Sequence, residues 1–228
     1  MAAVLIWYLL VTGLGWIAYP LAFRLLPGLR DRGYMLSRAL GLLLTGYVFW
    51  LLAVTGFVQN TPGAILLAIL IVLGLSLWAY TTRPDRSMTI RSVLRQNLGP
   101  VLLAEALFLL AFAFWALVRA YNPDIAGTEK PMELAFMNGV RGSLTFPPAD
   151  PWLSGYAISY YYFGYVIMAM LAALSAVPMH IAFNLGIALL FALTLLGGFA
   201  VVYNLAAAST GRSAAAASAG GLLGALFV

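Results

Sequence analysis

Seven acids occur in the 228 residues, and four of them, Asp124, Glu129, Glu133 and Asp150, fall in one polar stretch between two apolar blocks. Clustered carboxylates suit two kinds of chemistry. They hold a hard cation, such as a divalent metal, through oxygen ligands, or one of them takes a proton from a hydroxyl as a general base. A loop in water also carries acids for solvation alone, and composition does not choose between these. Glu129 and Asp150 are the better catalytic candidates because each has stiff neighbours. Glu129 precedes the Lys130-Pro131 step. Asp150 lies inside Phe146-Pro147-Pro148-Ala149-Asp150-Pro151-Trp152, where each proline fixes its φ. Stiffness preorganises a reacting group, and it serves plain loop packing equally.

The same stretch runs into Tyr156, Tyr160, Tyr161, Tyr162 and Tyr165. Tyrosine rings gather at membrane interfaces as a belt. They also make a binding wall for a sugar or a phosphate, by stacking and by hydroxyl hydrogen bonds. Both uses stay open. Glu105 stands apart, inside an apolar block, where a charge costs on the order of 2–3 kcal/mol or more and must face protein or be neutralised. It reads either as part of a polar pathway or as one hydrogen bond between helices. His180, the one histidine, sits in the Val177-Pro178-Met179-His180 turn, which the count of spans puts on the cytoplasmic side, far from the acidic loop, and reads as ordinary surface. Asp31 and Asp85 lie among arginines and read as charge balance. Cysteine is absent, so disulfides and thiolate metal sites are excluded. No phosphate loop, dinucleotide glycine fingerprint, metalloprotease helix or Ser-His-Asp set occurs.

The elements that must position these residues are membrane helices. The chain is 64% hydrophobic and 8% charged, against about a quarter charged for a soluble domain. The apolar blocks have the length of membrane-crossing helices rather than of barrel strands. The expected fold is all-α, a polytopic bundle of about seven spans at roughly 3–23, 39–58, 63–80, 100–119, 157–176, 181–204 and 214–228. The first lacks a basic leader and a cleavage site, so it reads as a retained helix. The last stops in mid-helix at Leu226-Phe227-Val228, which reads as the front part of a longer protein. Arg24, Arg30, Arg32 and Arg38 in one link, and Arg83, Arg86, Arg91 and Arg95 in another, put both links in the cytoplasm. The N-terminus and the loop 120–156 are then outside, and the chain is a multi-pass protein of the plasma membrane. The net charge of +5 belongs to this topology, not to a nucleic-acid partner. Within the loop, Pro131 and Glu133 suit a first helical turn, and Met132, Ala135, Phe136 and Val140 share a face. A short interfacial helix ending near Gly142 is expected. Ala169, Ala172, Ala173 and Ala176 favour close helix packing in the following span.

Three blocks in order, Gly127-Thr128-Glu129-Lys130-Pro131-Met132-Glu133, Phe146 to Trp152, and Ser159-Tyr160-Tyr161-Tyr162-Phe163-Gly164, resemble a bacterial and archaeal membrane-protein family named for its Tyr-Tyr-Tyr signature. That family is a domain of unknown function, and the resemblance is strongest over residues 120–178. More distantly, the order of span, loop acid, interfacial helix, Pro-Pro turn and span is similar to polytopic glycosyltransferases of the GT-C type. The resemblance divides the chain into a three-span region, 1–99, and a GT-C-like region, 100–228. It implies transfer of a sugar from a polyprenyl-phosphate donor at the outer face, with a divalent metal in some members. Glu129 and Asp150 would then be the catalytic acids. Lys130, Arg141, Tyr160, Tyr161 and Tyr162 would bind the substrate and its leaving phosphate. The chain departs from the pattern in its three extra spans and in a single Glu129 where an Asp-Glu pair is common. The rival expectations are a membrane subunit whose loop binds a partner protein, and a transporter built on Glu105.

Overall fold

The computed structural model describes residues 1–209 and 213–228. Among them there are nine helices: α1 (Ala2–Leu25), α2 (Ser37–Val54), α3 (Pro62–Thr81), α4 (Ile90–Gln96), α5 (Leu98–Tyr121), α6 (Lys130–Gly142), α7 (Phe163–Ser175), α8 (Met179–Ala208) and α9 (Ala214–Leu226). Local chemistry sets several starts. Thr61 accepts a hydrogen bond from the Ala64 amide, and Pro62 opens α3 where a missing N–H costs nothing. Thr89 and Ser92 cap α4 reciprocally.

Five helices, α1, α2, α3, α5 and α8, are long and apolar enough to cross a membrane. The other two expected spans emerge as α7 and α9, each of 13 residues. At 1.5 Å per residue α7 is about 20 Å long, against a hydrocarbon core of about 30 Å. Residues 157–162 do not join α7 because backbone pairing holds their first members elsewhere. Ala149 bridges to Ala157, and the Ile158 amide donates to the Pro148 carbonyl at 2.9 Å.

The chain packs as α1 with α2 and α3, and as α8 with α5 and α9. Glycine permits the closest approaches. A Cβ at Gly41 would collide with the Leu14 carbonyl, and one at Gly224 would stand 2.9 Å from the Gly198 carbonyl oxygen. Trp7, Tyr19, Phe49, Phe108, Phe199 and Tyr203 are fully buried between the helices.

The two ends of the bundle differ in chemistry. At one end, Arg24 donates to the Ala79 carbonyl and to Thr82, and Arg32 pairs with Asp85 at 3.3 Å. Here Asn204 accepts from the Arg30 amide, Asn97 donates to the Arg30 carbonyl, and Tyr203 donates to Asn97. Asp31 is fully buried at this end. It does not balance an arginine: its carboxylate accepts from the Gly33 and Met35 amides. The other end carries the long loop. Asn60, in the α2–α3 turn, donates to the Val140 and Ser143 carbonyls and so ties α6 down.

Helix α7 keeps to the loop end. At its head Trp50, in the last two turns of α2, donates to the Tyr162 hydroxyl at 3.0 Å. At its tail Trp7, in the first two turns of α1, donates to Ser175 at 3.0 Å. Both tryptophans are near the loop end, so α7 lies across that half of the bundle. As a result α8 also starts there. Asn184, in its second turn, accepts from Arg119 at 2.8 Å and donates to the Pro123 carbonyl. His180 therefore stands at the loop end, not at the opposite end where counting 157–176 as a span placed it.

Candidate functional site

Helix α6 presents the first acid. Glu129 occupies its N-cap position in a helical conformation, and its side chain makes no capping hydrogen bond. Its carboxylate is exposed and left to whatever approaches the loop. The Glu133 amide donates to the Glu129 carbonyl at 2.9 Å, so the two acids follow each other up one face. Negative charge at this helix start is favourable by about 0.3–1 kcal/mol.

Phe136, Met137 and Val140 continue that same face further along α6 and are buried. The Phe136 ring packs against Tyr160 (5.7 Å between centroids), Tyr165 (5.8 Å) and Trp152 (6.3 Å). This cluster seats the tyrosine run against the start of α6. Tyr160 and Tyr161 stack at 3.9 Å, and Tyr160 donates to the Tyr161 hydroxyl at 2.5 Å. That hydrogen bond above all, then desolvation, the Tyr161 charge and the Glu129 charge, push the Tyr160 hydroxyl up to about 12. Burial first, then the Glu133, Tyr161 and Glu129 charges, push the Tyr165 hydroxyl up as well. Glu129 and the stacked pair therefore share one electrostatic environment.

Beside them opens a groove of about 320 Å³ lined by Tyr47, Trp50, Tyr160, Tyr161, Tyr162 and Phe163. Its walls are aromatic faces with phenol hydroxyls at intervals. The Tyr162 oxygen accepts from Trp50, which fixes that corner. Such a surface offers aromatic stacking and apolar contact.

The other candidates are placed differently. The Asp150 carboxylate accepts from the Trp152 amide at 2.8 Å and the Leu153 amide at 3.0 Å, so one oxygen, Oδ1, closes the proline turn. Lys130 and Arg141 open and end α6, about 16 Å apart along its axis, and address different places. Among the described residues neither is in an ion pair, and no group of three or more His, Cys, Asp or Glu is placed to hold a metal ion.

Glu105 has a structural partner. Arg38 grips it with two nitrogens, at 2.8 and 2.5 Å, Tyr34 donates to it at 2.9 Å, and the guanidinium lies 4.5 Å over the Phe108 ring. Arg38 is thus turned into the bundle and is not one of the free cations at the arginine-rich end. The pairing supports a link between helices and removes the free carboxylate on which a transporter would rest. Sequence inspection missed Tyr47 and Trp50 as parts of the groove. Their spacing of three near the end of α2 was the available signal.

The three loop blocks thus converge in space on α6, the proline turn and the head of α7. Residues 44–228 match the profile of a family described as uncharacterized membrane protein, DUF2298. The chain belongs to that family. The match spans every DUF2298 element built above, from the second half of α2 through the groove to α9. No curated protein and no solved structure matches the chain.

Proposed function

We propose that this DUF2298 chain is a GT-C-like membrane glycosyltransferase, or the part of one that carries the acceptor acid. Residues 100–228 form the GT-C-like part and residues 1–99 a supporting three-helix region. One observation carries the proposal: Glu129 stands uncommitted at the start of α6, next to a stacked tyrosine pair that walls an open aromatic groove. In this scheme Glu129 takes the proton of the acceptor hydroxyl. That hydroxyl attacks the anomeric carbon of the donor, and the bond to the carrier phosphate breaks with the electron pair on the phosphate oxygen. The groove holds the donor sugar or the first isoprene units. Lys130 is the nearest base in sequence to receive the phosphate charge. Glu133 supports Glu129 from one turn away. Asp150 serves the turn before it serves chemistry.

Arg24, Arg30, Arg32, Arg83, Arg86, Arg91 and Arg95 at the other end of the bundle, set against the acids of the loop, favour a cytoplasmic arginine end and an outward loop. The N-terminus is then outside, and a lipid-linked donor reaches the groove from the outer leaflet of the plasma membrane.

The experiment is a transfer assay on the purified protein in liposomes, with labelled polyprenyl-phosphate sugars and with or without a divalent cation. Labelled product that depends on the protein is expected. No transfer from any such donor, with the loop protected by a co-purifying protein instead, would replace the enzyme with the partner-binding subunit.

A further inference from the structure

A second cavity lies at the loop end, away from the aromatic groove. It measures about 310 Å³ and is enclosed by the starts of α1 and α8 and the end of α5. Val4, Ala116, Ile181 and Leu185 make its apolar walls, and Arg119 and His180 lie at its rim. Its volume is at the low end of the range for ligand pockets, about 300–1,000 Å³. Arg119 is the basic residue in the last turn of α5, the depth at which long cations reach lipid headgroups. Asn184 holds its Nε at 2.8 Å and the Asp124 carbonyl holds one terminal nitrogen at 3.1 Å. The guanidinium is therefore fixed in place with further N–H donors to spare.

We infer that this cavity is a binding site for an anionic phospholipid, with part of one acyl chain between α1, α5 and α8 and its phosphate on Arg119. Two observations choose this occupant. The walls are apolar on three helices, which suits a chain and not a free anion. The rim carries an oriented cation, which attracts a headgroup of net negative charge more strongly than one whose own ammonium, a like charge to Arg119, offsets its phosphate. The site is independent of Glu129 and of sugar transfer. A bound lipid would bridge the starts of α1 and α8 to the end of α5.

The test measures lipid binding by native mass spectrometry of the protein in neutral detergent. The probes are phosphatidylglycerol, phosphatidylcholine and inorganic phosphate. Phosphatidylglycerol should bind with one tight site, and phosphatidylcholine at least tenfold more weakly. Inorganic phosphate should neither bind nor compete at equal concentration. Arg119→Gln should weaken the phosphatidylglycerol site about tenfold or more, the scale of a charged hydrogen bond. Because Arg119 also anchors Asn184, Val4→Trp provides a second variant. It fills the cavity, leaves the Arg119–Asn184 bond in place, and should abolish the same site. Equal binding of the two lipids, or unchanged binding in Val4→Trp, would overturn the inference. Competition by inorganic phosphate would reassign the site to a free anion and overturn it too.

Discussion

Glu129 and Asp150 look alike in sequence, and hydrogen bonding separates them. Asp150 accepts two amides through one oxygen, which asparagine reproduces. Asp150→Asn should therefore leave thermal stability within about 0.5 kcal/mol, whereas Asp150→Ala should lose about 1–2 kcal/mol with the two hydrogen bonds that close the turn. Melting the detergent-solubilised protein distinguishes the two. Glu105 and Arg38 make the opposite case. Their side chains are 25% and 4% exposed, and each satisfies the other. Arg38→Met alone leaves a carboxylate among apolar helices and should cost up to about 3 kcal/mol. The double variant Arg38→Met with Glu105→Leu should recover part of that loss. A double variant as unstable as the sum of both singles would show that the pair is not a unit.

Helix α7 decides which residues share a side of the membrane. If it crossed, His180 and Asp150 would face opposite compartments. Lying across the loop end, it leaves them on one side and Arg91 on the other. Single cysteines at 150, 180 and 91, labelled from each side of sealed vesicles, should therefore show 150 and 180 reacting together. Joint labelling of 180 with 91 would restore the crossing helix. The sequence suggested a span here because residues 157–176 are mostly apolar and carry no charge, and hydropathy is a local property. What shortened α7 was not local. The proline turn pairs with Ala157 and Ile158, and that contact spans a loop whose shape depends on three prolines. By contrast, the start of α6 was readable from Pro131 and Glu133 because capping and dipole effects act within one turn.

Across the whole molecule, the long helices were legible because uninterrupted apolar blocks of their length have one stable form in a membrane. The pairing of Arg38 with Glu105 was not, since 67 residues separate them and nothing in either neighbourhood names the other. The groove was half legible. The tyrosine run announced one wall, and α2 supplied the other through Tyr47 and Trp50. Removing an aromatic wall of that groove should weaken donor binding without unfolding the bundle. Tyr47→Ala and Tyr161→Ala should each raise the donor KM several-fold with little change in melting temperature, because both rings are at least half exposed. The central claim is that Glu129 is the base of an outward-facing sugar transfer. The most direct measurement is the single-turnover rate of transfer from a polyprenyl-phosphate sugar by wild type and by Glu129→Gln, at saturating donor and matched folding. A fall of about a hundredfold or more in Glu129→Gln is predicted, the scale of general-base catalysis. An unchanged rate in that variant would contradict it.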